Sequence, residues 1–185
     1  RLEYRGYDSA GVAVLKADQI EVRRDAGKLS QLIDLVAKSP IEGAPGIGHT
    51  RWATHGAPSA RNAHPHLGQT KRVVVVQNGI VENFLEIKDE LTAEGVEFQS
   101  ETDTETIVHL VEHYLATGIG LVEAARKTFN DIQGANVVVL MSADEPDKIV
   151  TARIGNAGGV VIGMGRGENF IASDIPAIME HTREV

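Results

Sequence analysis

Residues 48 to 56 read Gly-His-Thr-Arg-Trp-Ala-Thr-His-Gly, a segment that crowds imidazoles, a guanidinium, an indole and hydroxyls between two glycines. Such a stretch offers donors and a fixed positive charge but no regular apolar repeat, which suits a binding loop better than a core element. Arg51 can clasp a carboxylate through two parallel N–H donors, and Asp103, in Ser-Glu-Thr-Asp-Thr-Glu (100–105), can pair with an ammonium. Asn78-Gly79 follows the run Val73 to Val76, so a side-chain amide and a backbone N–H fall at one strand end, the parts of an oxyanion hole. One ligand type satisfies all three: an amino acid whose side chain ends in a carbonyl. Each residue also has a plainer reading. Asn-Gly beside a strand is a strong hairpin signal, and Asp103 ahead of an apolar periodic run reads as a helix N-cap.

Two further motifs weigh less. His109-Leu-Val-Glu112-His113 matches the inverted zinc-protease pattern. On a helical projection, however, its polar residues lie opposite Ile107, Leu110, Val111 and Tyr114, which is how a solvated face reads. Gly163-Met-Gly-Arg-Gly167 resembles a phosphate-cradling loop, but Glu168 to Ala172 reads as a strand where a dinucleotide fingerprint needs a helix. A glycine-rich β-turn is the expectation there.

The elements that must position these residues alternate along the chain. Ser9 to Lys16 and Gln19 to Arg24 form a β-hairpin turning at Ala17-Asp18. Leu29, Leu32, Ile33, Leu35 and Val36 recur with helical spacing and stop before Pro40. Strands are expected at Gly46 to Ala53 and Lys71 to Gln77, flanking a polar loop from Thr54 to Thr70. Helices follow over Glu82 to Glu94, Asp103 to Ala116 and Leu121 to Phe129. Short strands close the chain at Ala135 to Met141, Lys148 to Ile154, Gly159 to Ile162 and Asn169 to Ala172. Strands that succeed one another without crossover helices favour antiparallel pairing, so the fold class is α+β with helices covering sheet faces.

Composition bounds the function. The 185 residues, 42% hydrophobic and 24% charged, suit one domain with a core of its own. A net charge of −8 without basic clusters argues against nucleic acid as a partner. No apolar run approaches a membrane span, and the first residues lack a signal-peptide core, so a cytoplasmic setting without membrane association is expected. The absence of cysteine removes disulfides, thiolate metal sites and a cysteine nucleophile from these residues.

Six blocks, RLEYRGYDSAG (1–11), GHTRWATHGAPS (48–59), NAHPH (62–66), QNGIVEN (77–83), SETDTE (100–105) and GENFIASD (167–174), occur in order. Together they resemble the glutaminase domains of the glutamine–fructose-6-phosphate aminotransferase family, over nearly the whole chain. Amidophosphoribosyltransferases and asparagine synthetases share that domain type. The resemblance implies the N-terminal nucleophile hydrolase fold, a four-layer α/β/β/α sandwich of two antiparallel sheets between helices. It implies an N-terminal cysteine thiolate that attacks the side-chain amide of L-glutamine, releasing ammonia and leaving a thioester for water to hydrolyse. The free α-amino group, of pKa about 7.7–8.0, is suited to serve as base. It also implies roles: Arg51 and Asp103 for the α-carboxylate and α-ammonium, Asn78 and Gly79 for the oxyanion, and Trp52, Thr54 and His55 for a lid over glutamine. Gly48 and Gly56 are expected to hinge that lid, while Arg5 and His64 help order the site. No metal and no cofactor is implied.

Family members carry a Cys-Gly-Ile segment ahead of the RLEYRG block, so residues 1–185 are expected to be a glutaminase domain short of its N-terminal segment. As given, the chain is expected to be inactive or to act as a non-catalytic glutamine-binding module. Sugar isomerase domains acting on fructose 6-phosphate are expected after Val185, in a parent enzyme that is a homo-oligomer. Gln77 stands where many relatives carry histidine.

Overall fold

The architecture comes from a computed structural model that describes all 185 residues. Strands β1 (Ser9–Lys16) and β2 (Gln19–Ala26) form the expected hairpin, with Lys16 opposite Gln19 and Ala17 left-handed at φ 54° in the turn. β2 runs on past Arg24 because backbone pairing continues to Ser9 opposite Ala26, whatever the polarity of Asp25. Helix α1 (Leu29–Lys38) ends before Pro40, whose ring disfavours helical geometry in the preceding residue. β3 (Gly46–Arg51) pairs antiparallel with the other side of β1, giving a sheet in the order β2-β1-β3.

A second sheet has the order β4-β5-β6-β7, all antiparallel, from His66–Leu67, Val73–Gly79, Asn136–Ser142 and Ile149–Ile154. β4 lies inside the segment expected to be loop; two residues are too few to show any periodicity. Helices α2 (Phe84–Ala93), α3 (Thr104–Leu115) and α4 (Leu121–Asp131) cover the outer face of this sheet. A separate hairpin of β8 (Val161–Met164) and β9 (Asn169–Ala172) turns through Gly167, at φ +79°, so the Gly163–Gly167 motif is a glycine-rich turn.

Alternation along β5 explains the layering. Val73 and Val75 point into a core with Ile107, Val111, Leu121 and Ala124 of the helices, whereas Val74 and Val76 point at Ala13 and Ile47 of the first sheet. β5 is therefore apolar on both faces, each buried valine contributing roughly 1.5–3 kcal/mol. With α1 against β1 and β2 on the far side, the order is helix, sheet, sheet, helices. No helix is long and apolar enough to cross a membrane.

Candidate active site

The sandwich delivers three polar ends to one place. Arg51 ends β3, Asn78-Gly79 ends β5, and Asp103 immediately precedes α3. They line one cleft of about 640 Å³ together with Arg5, Trp52, Thr54 and His64.

Neither plainer reading survives at Asn78-Gly79 or Asp103. The chain does not double back after Gly79 but passes through residues 80–83 into α2. Gly79 sits at φ +132°, and a Cβ there would lie 2.1 Å from the Ala135 carbonyl oxygen, so close strand approach demands glycine. Asp103 has helical angles and makes no side-chain cap bond. Its Oδ2 instead accepts the Val81 N–H at 2.8 Å, which ties the turn after β5 to the start of α3. Its Oδ1 lies 3.8 Å from His55 Nδ1.

Arg51 is only 4% exposed. One terminal nitrogen, Nη2, donates to the His55 and Gly56 carbonyl oxygens, while Nη1 is buried without any partner. Burial lowers the guanidinium pKa, and the carboxylates of Asp103 and Asp8 oppose that shift. A buried cation with a free donor is costly unless an anion joins it. Beside a carboxylate that has one oxygen uncommitted, the pair matches the two charges of a zwitterionic amino acid.

The residues expected to form a lid separate. Trp52 is 61% exposed at the cleft mouth, edge-on to Tyr7 at 5.5 Å. Thr54 lines the cleft and is exposed. His55 stands outside the lining, its ring against Phe84 at 5.2 Å and its Nδ1 toward Asp103. Gly48 cannot hinge anything, because it lies mid-strand in β3 opposite Val12. Gly56, at φ +77°, does take a left-handed conformation, packed against Asn62 and Glu101. Asn62 fastens this segment down: its Nδ2 donates to Ala57 O and Glu101 Oε2, each at 2.9 Å, and its Oδ1 accepts the Glu101 N–H at 3.0 Å. Arg5 donates to the Ser173 carbonyl at 3.0 Å, joining the first turn to the segment after β9.

Sequence reasoning gave no role to His49 or Glu105 and noted Gln77 only for standing where relatives carry histidine, yet all three organise the site. His49 places Nε2 2.8 Å from Asn78 Oδ1, in a ring stacked on His64 at 4.4 Å. The clue was present: Ile47, His49 and Arg51 alternate on β3 and so share the face toward β5. Gln77 closes a directed chain. Its N–H donates to His64 Nδ1 at 3.4 Å, which leaves the proton on Nε2 to donate to Thr104 Oγ1 at 3.1 Å. The Thr104 hydroxyl donates to Gln77 Oε1, and Gln77 Nε2 donates to Asn136 Oδ1 at 2.6 Å. A glutamine thus fills this position with its backbone N–H and both side-chain polar atoms hydrogen-bonded.

Glu105 holds the loop before α3. It accepts the N–H groups of Gln99 at 2.7 Å and Ser100 at 2.6 Å, and the Ser100 hydroxyl at 2.6 Å. Because an ionised carboxylate only accepts, Ser100 Oγ takes the Thr102 hydroxyl proton and Thr102 Oγ1 takes the His66 Nε2 proton, at 2.9 and 3.0 Å. Burial alone would raise the Glu105 pKa, but these donors and His109 outweigh it and hold it at about 2. Burial pushes His49 down to about 4 and His66 to about 3, with the cations Arg24 and Arg51 adding to it at His66, and takes His64 well below its usual value.

The zinc-like motif comes apart. His109 is buried rather than solvated, packed against Phe98 at 4.8 Å and bonded to Glu105 at 3.3 Å. Glu112 accepts from Thr70, and His113 meets Glu94 at 2.8 Å. His109 Nδ1 lies 3.8 Å from Glu112 Oε2, but His113 is engaged with Glu94, and no set of three His, Cys, Asp or Glu residues could hold a metal ion.

Comparison with known proteins agrees with this architecture. The family model described as "Glutamine amidotransferase domain" matches residues 49–180. The chain is 51% identical over 185 residues to the glutamine–fructose-6-phosphate aminotransferase (isomerizing) of Caldanaerobacter subterraneus subsp. tengcongensis, and 50% identical to that of Thermus thermophilus. Each alignment takes in 100% of this chain but 30% of the relative, so the chain spans under a third of their length. The glutamine phosphoribosylpyrophosphate amidotransferase from B. subtilis, complexed with ADP and GMP, superposes with a TM-score of 0.81 at 23% identity, over 98% of this chain and 39% of that one. The structure of the allosteric regulatory enzyme of purine biosynthesis gives 0.84 at 24% identity, with the same coverages. These structures establish the shared fold, the four-layer sandwich of two antiparallel sheets between helices that the resemblance implied. Family model, fold and cleft agree: the chain belongs to the glutamine amidotransferase domain family.

Proposed function

We propose that residues 1–185 are the domain that binds L-glutamine and activates its side-chain amide for hydrolysis, supplying ammonia. The observation that carries this reading is the presence in one cleft, beside Asn78-Gly79, of the orphaned Arg51 Nη1 and of Asp103, whose Oδ1 makes no hydrogen bond and has only His55 Nδ1 near it, at 3.8 Å. Arg51 takes the α-carboxylate and Asp103 the α-ammonium. That anchoring lays the side chain toward the end of β5, where Asn78 Nδ2 and the Gly79 N–H donate to the amide oxygen. Those donors act where charge develops in the tetrahedral intermediate, the arrangement that accelerates acyl transfer most. Trp52 and Thr54 close the mouth, His55 flanks Asp103, and Arg5 and His64 keep the surrounding turns in place.

The attacking group is a cysteine thiolate outside these residues, which contain no cysteine. In the parent protein the ammonia converts fructose 6-phosphate to glucosamine 6-phosphate, a step of cytoplasmic hexosamine synthesis. Calorimetric titration with L-glutamine and with its analogue lacking the α-amino group, 4-carbamoylbutanoate, tests the reading. Loss of a charge-assisted bond worth about 1.5–3 kcal/mol predicts roughly 10–100-fold weaker binding of the analogue. Equal binding would remove Asp103 from the site.

A further inference from the structure

The oxyanion role of Asn78 depends on which way its amide faces, because nitrogen and oxygen exchange places in a half-turn about the last torsion. With nitrogen toward the cleft, the residue stabilises a developing oxyanion. With oxygen toward the cleft, it repels one. His49 is the group that decides between the two.

From β3, the His49 Nε2 atom reaches Asn78 Oδ1 at 2.8 Å, while its other ring nitrogen, Nδ1, is buried and meets no partner. A neutral imidazole carries one N–H. If the proton is on Nε2, it is donated to Oδ1, and the only unpaired atom is a ring lone pair. If it is on Nδ1, that buried N–H is left facing the neighbouring Gln77 carbonyl, with which it forms no hydrogen bond here, and Nε2 can only accept, which turns the asparagine over. Orphaned buried N–H groups are the rarer of the two defects and cost about 1–3 kcal/mol. The His64 ring, stacked at 4.4 Å, restricts rotation of the His49 imidazole out of this plane. Burial separately keeps His49 uncharged near neutral pH, with a pKa of about 4, so its influence on the cleft runs through the hydrogen bond rather than through charge.

We propose that His49, in its Nε2–H tautomer, is a positioning residue that holds the Asn78 carbonyl oxygen away from the cleft and thereby aims the Asn78 amide hydrogens at the glutamine oxyanion. This rests on the glutaminase reading above and deepens it.

The test is glutamine hydrolysis by the full-length enzyme carrying these residues. His49→Phe keeps the stacked ring but removes the donor. Its kcat should fall about 10–100-fold, a part of the 10²–10³ that a whole oxyanion donor supplies, with KM for glutamine changed less than about threefold. His49→Gln, which can set an amide N–H near the Nε2 position, should recover most of the loss. In the Asn78→Ala background, adding His49→Phe should lower kcat no further, since the residue it acts through is gone. Additive losses, or a wild-type kcat for His49→Phe while Asn78→Ala is impaired, would overturn the positioning role alone. An undiminished kcat for Asn78→Ala would instead overturn the underlying reading of the site. Should His49→Phe fail to fold, ¹⁵N chemical shifts of the His49 ring in the unaltered protein decide: a protonated Nε2 is expected, and a protonated Nδ1 refutes the proposal.

Discussion

Lowering the pH from 6.5 to 5 should destabilise this domain well before its carboxylates titrate. His49 and His66 have folded pKa values of about 4 and about 3, against 6.5 for an exposed imidazole. Between those limits the unfolded chain binds protons that the folded chain refuses, so stability rises with pH and is lost as pH falls. At pH 5 the unfolded imidazole is almost fully charged while the folded one is almost fully neutral. Each group then costs about 2 kcal/mol relative to high pH, most of it incurred below pH 6.5. The pair together accounts for about 3 kcal/mol, and His64, shifted in the same direction, adds to it. Glu105, held at about 2 against an ordinary 4.5, contributes stability that is lost only as pH falls from about 4.5 toward 2. It leaves the 6.5 to 5 window to the histidines, of which His109, lowered by burial but raised on balance by Glu105 and Glu112, works in the opposite direction and offsets a part of the loss. Urea midpoints followed by circular dichroism at pH 7.5, 6.5, 5.5 and 5.0 should fall steadily, and unfolding at pH 5.5 should take up about two protons or more. A midpoint that holds level or rises across this window would show that the histidines are charged in the fold, refuting the tautomer assignments drawn from their hydrogen bonds.

Other perturbations separate binding from architecture. Arg51→Lys, which cannot present two parallel donors, should raise KM for glutamine about 10-fold or more with less effect on kcat; an unchanged KM in the hydrolysis assay contradicts the carboxylate clasp. Gly79→Ala combines φ +132° with a 2.1 Å approach to the Ala135 carbonyl and should cost about 2–4 kcal/mol by denaturant titration. Gln77→Glu would set a carboxylate oxygen against Asn136 Oδ1, now 2.6 Å from the donating Nε2, and should lower Tm by about 10 °C. Asn62→Ala removes the bonds to Ala57 and Glu101, so amide exchange over residues 54–57 should quicken; unaltered protection would mean the lid is held by something else.

The sequence was legible where chemistry or periodicity is local. Four successive valines at 73–76 marked a strand, and Arg51, Asp103 and Asn78-Gly79 stood out as one set of charges and donors, which the fold does bring to one cleft. Tertiary closure decided what local pattern could not. His109 lies opposite Ile107 and Val111 on its helix, which suggested solvent, but Phe98 and Glu105 cover it. Asp103 had the sequence of an N-cap and the geometry of a helix residue, its carboxylate drawn to Val81 across the turn. Gly48 had the look of a hinge until pairing with Val12 placed it inside a sheet. The His49–Asn78 and Gln77–Asn136 contacts join residues 29 and 59 positions apart, a separation that no window on the sequence spans.

A crystal structure of the protein with L-glutamate bound tests the central claim most directly. The account predicts the α-carboxylate on Arg51 Nη1, the α-ammonium on Asp103 Oδ1, and a side-chain carboxylate oxygen within hydrogen-bonding distance of Asn78 Nδ2 and the Gly79 N–H. Glutamate bound elsewhere, or seated in the cleft with Arg51 Nη1 still unpartnered, would contradict it.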